Sequence, residues 1–300
     1  MGIVGRLAGL IGLGLMASCA STDAPASDLP VRSLGEILEQ SPASDWRAVD
    51  QNNLLYMQLP TGRVIIELAA DYTPLHTANI QALARAHYWD GAAIVRSQEN
   101  YVVQWGRDEG DARPMGQGQA TLAPEFDQPR AGVNITRLTD PDSYAREVGF
   151  ANGFPVASNG SRTWMAHCYG MVGAGRGDTA DSGSGAELYV VIGHAPRHLD
   201  RNIATVGRVL QGMELLSTMP RGTGALGFYE TPAERTTIRS VRLGSELPAS
   251  ERVNLETLRT DSESFRAVID SRRFRRESWF LDPVGHINLC NVPLPVRVRS

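Results

Sequence analysis

The sequence predicts a mostly β fold, a closed antiparallel barrel with a helix over each open end, followed by a C-terminal extension. Three observations carry this prediction. Short apolar runs of strand type recur between Leu54 and Gly244, separated by turn residues. Only two segments in that stretch change to the 3.6 period of a helix. At 300 residues and 42% hydrophobic, the chain is large enough for one full domain with additions.

The first segment, MGIVGRLAGLIGLGLMASC, has one charge at Arg6, an apolar run from Leu7 to Met16, and small residues Ala17 and Ser18 before Cys19. The run is too short for a permanent bilayer span and has the layout of an export signal. LMASC resembles the bacterial lipobox. That resemblance implies a lipoprotein signal peptide over residues 1–18, a lipid on Cys19, and a periplasmic protein held to the cell envelope, at the outer membrane. The following STDAPASDLP has little to bury, so residues 19–45 are expected to be a flexible tether.

The domain itself is expected over residues 46–245. LLYMQL (Leu54 to Leu59) and RVIIELA (Arg63 to Ala69) flank a Pro-Thr-Gly turn and read as a hairpin. YTPLHTANIQALARAHYW then reads as a helix, with Thr73 as N-cap, Pro74 at its first position, and Leu75, Ile80 and Leu83 as apolar contacts. Asp90-Gly91 turns the chain into AAIVR and YVVQW, two strands joined by Ser97 to Asn100. TWMAHC, ELYVVIG and IATVG read as further strands, QGMELLSTM as the second helix, and RTTIRSVRLG as the closing strand. Within strands, alternation puts Ile94 and Arg96 on one face, and likewise Val102 and Gln104.

Residues 107–162 are weakly periodic and rich in Gly, Pro, Asn and Asp, so they read as an elaborated loop. GMVGAGRGD lacks the context of a dinucleotide loop and reads as a flexible connection. Residues 246–300 read as an extension packed on the barrel, with a helix in DSESFRAVIDSRRF and strand-like runs in SWFLD and HINLC.

Composition excludes several chemistries. All 29 basic residues are Arg, so Schiff-base and P-loop lysine chemistry drop out. A net charge of −4 supplies no field for collecting nucleic acid, and none is expected as a partner. With Cys19 assigned to lipid, Cys168 and Cys290 form an even pair in an oxidising compartment, which favours a disulfide over two separately buried thiols. No metal is expected, since His167 beside Cys168 has no second ligand pair and Pro196 separates His194 from His198. No Ser, Cys or carboxylate pair is placed for covalent catalysis, and no cofactor is implied.

One stretch, DGAAIVRSQENYVVQWGRD, sets an Arg and a Gln in adjacent strands. Here the chain resembles the cyclophilin family of peptidyl-prolyl cis-trans isomerases, over roughly Leu54 to Gly244. GRVIIELAADYTPLHTANIQAL is similar to the family's first strand and helix, YWDGAAIVR to its Tyr-Asp-Gly-x-x-Phe-His-Arg signature, and NYVVQWG to its Gly-Phe-Met-x-Gln-Gly-Gly. The resemblance implies an eight-stranded barrel, with Arg96 as the catalytic arginine, Tyr101 and Val102 in the proline pocket, and Gln104 binding substrate. MAH (Met165 to His167) resembles the Met-Ala-Asn strand that receives the substrate backbone, which implies Ala166 and His167 as contacts. AELYVVIG resembles Ser-Gln-Phe-Phe-Ile and implies Tyr189 as a pocket wall; Leu199 is a further contact by the same likeness.

The chain departs from the pattern at Ile94 and Val95, which replace Phe-His, at Trp105, which replaces a glycine, and at His198 and Ile203, which stand where Trp and His are common. The implied function is isomerisation of Xaa-Pro bonds in exported or envelope proteins, with proline-containing segments as partners. The alternative is a catalytically weak proline-peptide binding module. A hollow barrel carrying a small ligand conflicts with the bulky apolar residues of its strands.

Overall fold

A six-residue helix lies inside the stretch expected to be tether. The computed structural model describes residues 1–2, 32–108, 110–111 and 113–299; the expected signal peptide from residue 3 on, Cys19 and residues 20–31 lie outside these. Helix α1 (Leu34–Glu39) starts from a capping box in which Ser33 and Glu36 satisfy each other's backbone N–H groups. It buries Ile37 in an apolar cluster, so the segment up to residue 45 is not all tether.

Strand β1 (Trp46–Ala48) leads to the hairpin of β2 (Leu54–Leu59) and β3 (Gly62–Leu68), and then to α2 (Pro74–Arg85). Thr73 occupies the N-cap position of α2, but its side chain makes no cap bond. The exposed N–H groups of Leu75 and His76 instead donate to the Glu125 carboxylate at 3.0 and 2.9 Å. An anion from a distant loop thus satisfies the positive end of the helix. Strands β4 (Ala93–Ser97) and β5 (Val102–Gly106) follow.

Residues 107–162, expected to be a loop, contain most of a second sheet. Its strands are β6 (Gln128–Pro129), β7 (Thr136–Leu138), β8 (Glu147–Ala151), β9 (Phe154–Ser158) and β10 (Arg162–Met165), in the order β6-β10-β9-β8-β7. Strands of two to five residues are too short to show alternation in the sequence. The readable signal was Asn152-Gly153, both at positive φ, which forms the two-residue turn between β8 and β9.

Beyond it come β11 (Met171–Ala174), β12 (Leu188–Val191), β13 (Thr205–Gln211), α3 (Met213–Ser217), β14 (Thr236–Thr237) and β15 (Ser240–Leu243). The glycine-dense run at β11, expected to be a flexible connection, is an interior strand paired on both sides. The principal sheet has nine strands in the order β14-β4-β5-β12-β11-β13-β3-β2-β15, and curls around its core. It is not the closed eight-stranded barrel expected. The closing segment breaks at Ile238 and Arg239, pairing with β4 before the break and with β2 after it, so its two halves end opposite edges.

The inside of this sheet is filled by apolar side chains. Trp105, Ile94 and Val103 meet Ile80 and Leu83 of α2 and Leu216 of α3 there. Trp105 stands where the related pattern has glycine because its indole is core filling, 1% exposed.

The C-terminal part adds β16 (Leu255–Leu258), α4 (Glu263–Phe274) and β17 (Val296–Val298), and β1-β16-β17 form a third sheet. SWFLD and HINLC are not strands. Trp279 and Leu281 are 81% and 97% exposed, with no sheet to bury them. Phe265 of α4 packs edge-on against Phe150 of the second sheet at 5.0 Å, and Leu255 packs against Leu54, Tyr56 and Ile65.

A disulfide joins Cys168 to Cys290 across 122 residues, with Cα atoms 5.0 Å apart. It fastens the C-terminal segment to the connection between β10 and β11. In the chain-entropy model a loop of that size contributes about 4 to 5 kcal/mol. Cys168→Ser/Cys290→Ser is therefore expected to lose about that much stability in urea unfolding and to raise m, because the uncrosslinked unfolded chain exposes more surface. A midpoint within error of wild type would show that the staple constrains nothing.

Candidate functional site

An uninterrupted strand would put Arg96 on the same face as Ile94, in the core. The ladder between β4 and β5 instead pairs Ile94 with Trp105 and Arg96 with Gln104, leaving Val95 as an extra residue. This bulge rotates Arg96 to the outer face while Ile94 stays fully buried. The expectation that Ile94 and Arg96 share a face is thus corrected by one unpaired residue. Val102 and Gln104 do share the outer face, opposite Val103 and Trp105.

On that face Arg96 is held from three sides. Its Nε–H donates to the Leu226 carbonyl at 2.7 Å, one Nη1–H donates to Gln104 Oε1 at 3.0 Å, and Nη2 donates to Gln98. The guanidinium also lies over the rings of Phe228 at 5.1 Å and Tyr101 at 5.5 Å. A guanidinium has five N–H groups, so two remain for a ligand, one on each terminal nitrogen. Burial lowers its pKa from the usual value, against the opposite pull of Tyr101 and Glu187. Arg96 remains a cation at neutral pH.

The Leu226 carbonyl reaches Arg96 because Leu226 and Gly227 both adopt positive φ, 56° and 78°. A Cβ on Gly227 would come within 2.6 Å of the Gln98 Cα, so only glycine lets this loop lie along β4. Gln104 extends the polar line, since its Nε2 donates to Glu187. The sequence reading missed Glu187 and the Leu226–Phe228 loop. Glu187 carried a signal, as a carboxylate two residues before Tyr189 at the start of an apolar strand.

Beside this line, Val102, Tyr189 and Val191 form a small cluster with the half-buried Tyr101 and Ile203 packed on it. His198 stacks on Tyr101 with ring planes 5° apart, which gives the departures at 198 and 203 a shared wall. Leu199 ends a one-turn 3-10 helix, Arg197–Leu199, and its carbonyl accepts from Ile203 N–H at 3.2 Å. Arg96, Tyr101, Val102, Gln104 and Tyr189 thus come together on one face, with Leu199 tied to it through Ile203.

Ala166 and His167 do not. They are 0% and 1% exposed, in the connection between β10 and β11. The strand beside β12 is β11, with Gly173 opposite Tyr189. The Met-Ala-His letters resemble the family's motif but lie just before the strand that holds its place. A Cβ built on Gly175, just past β11, would sit 3.5 Å from Gln104 Nε2.

A fixed guanidinium, a carboxamide and a small apolar cluster, with no Ser or Cys nucleophile among them, suit binding rather than covalent chemistry. The family model for cyclophilin-type peptidyl-prolyl cis-trans isomerases matches residues 54–243, more than half of the chain, and the chain belongs to that family. It is 24% identical over 179 residues to a probable peptidyl-prolyl cis-trans isomerase of Brucella suis, covering 59% of this chain and 76% of that protein. A Brucella abortus protein of the same description matches over the same length and identity. Among solved structures, cyclophilin AquaCyp293 from Hirschia baltica superposes with a TM-score of 0.65 at 24% identity, covering 85% of this chain and 94% of that one.

Gln104→Ala removes both the acceptor for Arg96 and the donor to Glu187. Hydrogen bonds to charged groups are worth roughly 1.5 to 3 kcal/mol, so kcat/KM on an Ala-Pro peptide should fall about ten- to a hundredfold. An unchanged kcat/KM would remove Gln104 from the site.

Proposed function

We propose that Arg96 carries the isomerisation of Xaa-Pro bonds and that the protein acts outside the cytoplasm, held to the envelope by lipid on Cys19. The observation that carries the first part is the bulged Arg96, fixed by three acceptors with two N–H donors to spare. Rotation about a prolyl bond meets a barrier of about 18 to 20 kcal/mol because it breaks amide resonance. No bond has to be cleaved, so the enzyme needs only to bind the twisted amide more tightly than either planar form. Each 1.36 kcal/mol or so of that difference gives a factor of ten.

The two free N–H groups of Arg96 suit this task. One can hold the substrate carbonyl, and the other can donate to the prolyl nitrogen as its lone pair leaves the amide system. The Gln98 and Leu226 acceptors fix the guanidinium beforehand, so little reorganisation is left for the reaction. Tyr101, Val102, Tyr189 and Leu199 seat the pyrrolidine ring, and Gln104 holds the peptide backbone.

The second part rests on the N-terminal sequence and on the disulfide, a bond characteristic of oxidising compartments. Among the described residues no helix is long and apolar enough to cross a membrane, so the lipid is the anchor in this reading. Its clients are proline-containing segments of exported proteins in the periplasm, at the outer membrane.

Exchange NMR on an Ala-Pro peptide, with a form beginning after Cys19, tests the mechanism. Wild type should speed cis/trans exchange, and Arg96→Ala should lose at least about a hundredfold of that, with Arg96→Lys unable to restore it. Peptide binding without acceleration would favour the binding module. For the anchor, Cys19→Ala should move the protein from the membrane to the soluble fraction, and a distribution unchanged by the substitution counts against lipidation.

A further inference from the structure

We infer that His167 is a positioning residue of the proline pocket, holding Tyr189 and the turn from Arg197 to Ile203 so that the inserted second sheet shapes a groove it does not line. The inference rests on the isomerase reading of that groove and adds a residue to it.

His167 is buried, and its backbone N–H and both ring nitrogens have partners. Its backbone N–H and its Nδ1–H both donate to Asp200 Oδ1 at 3.0 Å. A carboxylate can only accept, so Nδ1 carries a proton, and in the neutral imidazole Nε2 accepts from the Tyr189 hydroxyl at 2.8 Å. The Thr205 hydroxyl lies 3.4 Å from the same Nε2. The two rings are nearly parallel, 10° apart.

Tyr189 reaches this partner only because its cross-strand neighbour is Gly173. A Cβ there would overlap the phenol ring and its hydroxyl. Burial raises the Tyr189 phenol well above its ordinary pKa, so it stays a neutral donor. An Asp-His-hydroxyl line of this kind resembles an activated nucleophile, but a hydroxyl buried behind the pocket cannot meet a substrate. What it can do is fix the ring that walls the pocket.

Asp200 carries the second half of the device. Its Oδ2 accepts from Trp164 Nε1 at 3.2 Å and from Arg197 Nε at 2.6 Å, so all four acceptor positions of the carboxylate are used. Burial would raise the Asp200 pKa, and the His167 and Arg197 contacts overcome it and hold it below the ordinary value. Arg197 in turn donates from Nη1 to Asp142 at 3.0 Å. Trp164 lies on β10, His167 just beyond it, and Asp142 between β7 and β8. Leu199 and Ile203 flank Asp200 in sequence, so their placement follows from a carboxylate fastened to the second sheet.

The test compares His167→Ala, Tyr189→Phe and the double variant with wild type, using Phe265→Leu in the second core as a control for lost stability. One readout is KM and kcat on the Ala-Pro peptide; the other is the methyl NMR shifts of Leu199 and Ile203 in the free protein. Each single variant should raise KM about three- to tenfold, the range expected for loss of one hydrogen bond, with kcat within about twofold. The double variant should be no worse than His167→Ala, and that variant should also move both methyl signals. Phe265→Leu should lower the melting temperature and move neither readout. Unchanged KM and methyl shifts in His167→Ala would overturn the inference, leaving His167 a packing residue. If wild type neither turns over nor binds the peptide, the isomerase reading fails, and the methyl shifts alone decide whether His167 holds the turn.

Discussion

In a regular strand, residues two apart face the same side, and β4 departs from that rule at Val95. The departure lets one short strand do two incompatible things. Ile94 closes the apolar interior against Trp105, while Arg96 stands on the outer face against Gln104. Without the extra residue, either the guanidinium would be driven into the core at a desolvation cost of several kcal/mol, or the core would lose Ile94. The rest of the groove is arranged around that choice. The loop at Leu226 supplies a carbonyl, Gln98 a second acceptor, and two aromatic rings cover the faces of the cation.

Two layers of support stand behind the groove. Nearest is the curled nine-strand sheet with its filled interior, which fixes β4, β5 and β12 relative to one another. Behind the pocket wall is a polar seam of Asp142, Arg197, Asp200 and His167, set between that sheet and the inserted one. Buried charges are tolerated only where every lone pair finds a donor, and the Asp200 carboxylate meets that condition. The disulfide attaches at Cys168, next to His167, so the C-terminal segment is fastened beside the seam. Three parts of the chain far apart in sequence therefore converge at residues 164–168.

The sequence was legible where a local pattern determines the answer. The β2–β3 hairpin, helix α2 and the pair Arg96–Gln104 followed from alternation, a proline at a helix start and a shared motif. Parity was enough to single out Cys168 and Cys290. It was illegible where a partner strand or a distant side chain decides. A bulge exists only relative to the opposite strand, so nothing in AIVRS announces Val95. The cap of α2 is Glu125, fifty residues on, and Thr73 could not be told from a working cap by its identity. The Met-Ala-His letters lie a few residues before β11, the strand that pairs with β12 and has the letters Met-Val-Gly-Ala. The Ser33 and Glu36 pair, by contrast, was a readable start for α1.

The broken closing segment, Thr236 to Leu243, bears on how the protein behaves in a crowded compartment. Its first half covers the backbone edge of β4 and its second half that of β2, so a few residues mask both ends of the strand order. An uncovered edge is a row of unpaired N–H and C=O groups that invites another chain to add on. Loss or cleavage of this one segment would bare the edge of β2 and the Ala93–Ile94 end of β4, the rest of β4 being paired with Gly222, Phe228 and Tyr229. A segment of eight residues therefore helps keep the sheet from pairing with other chains.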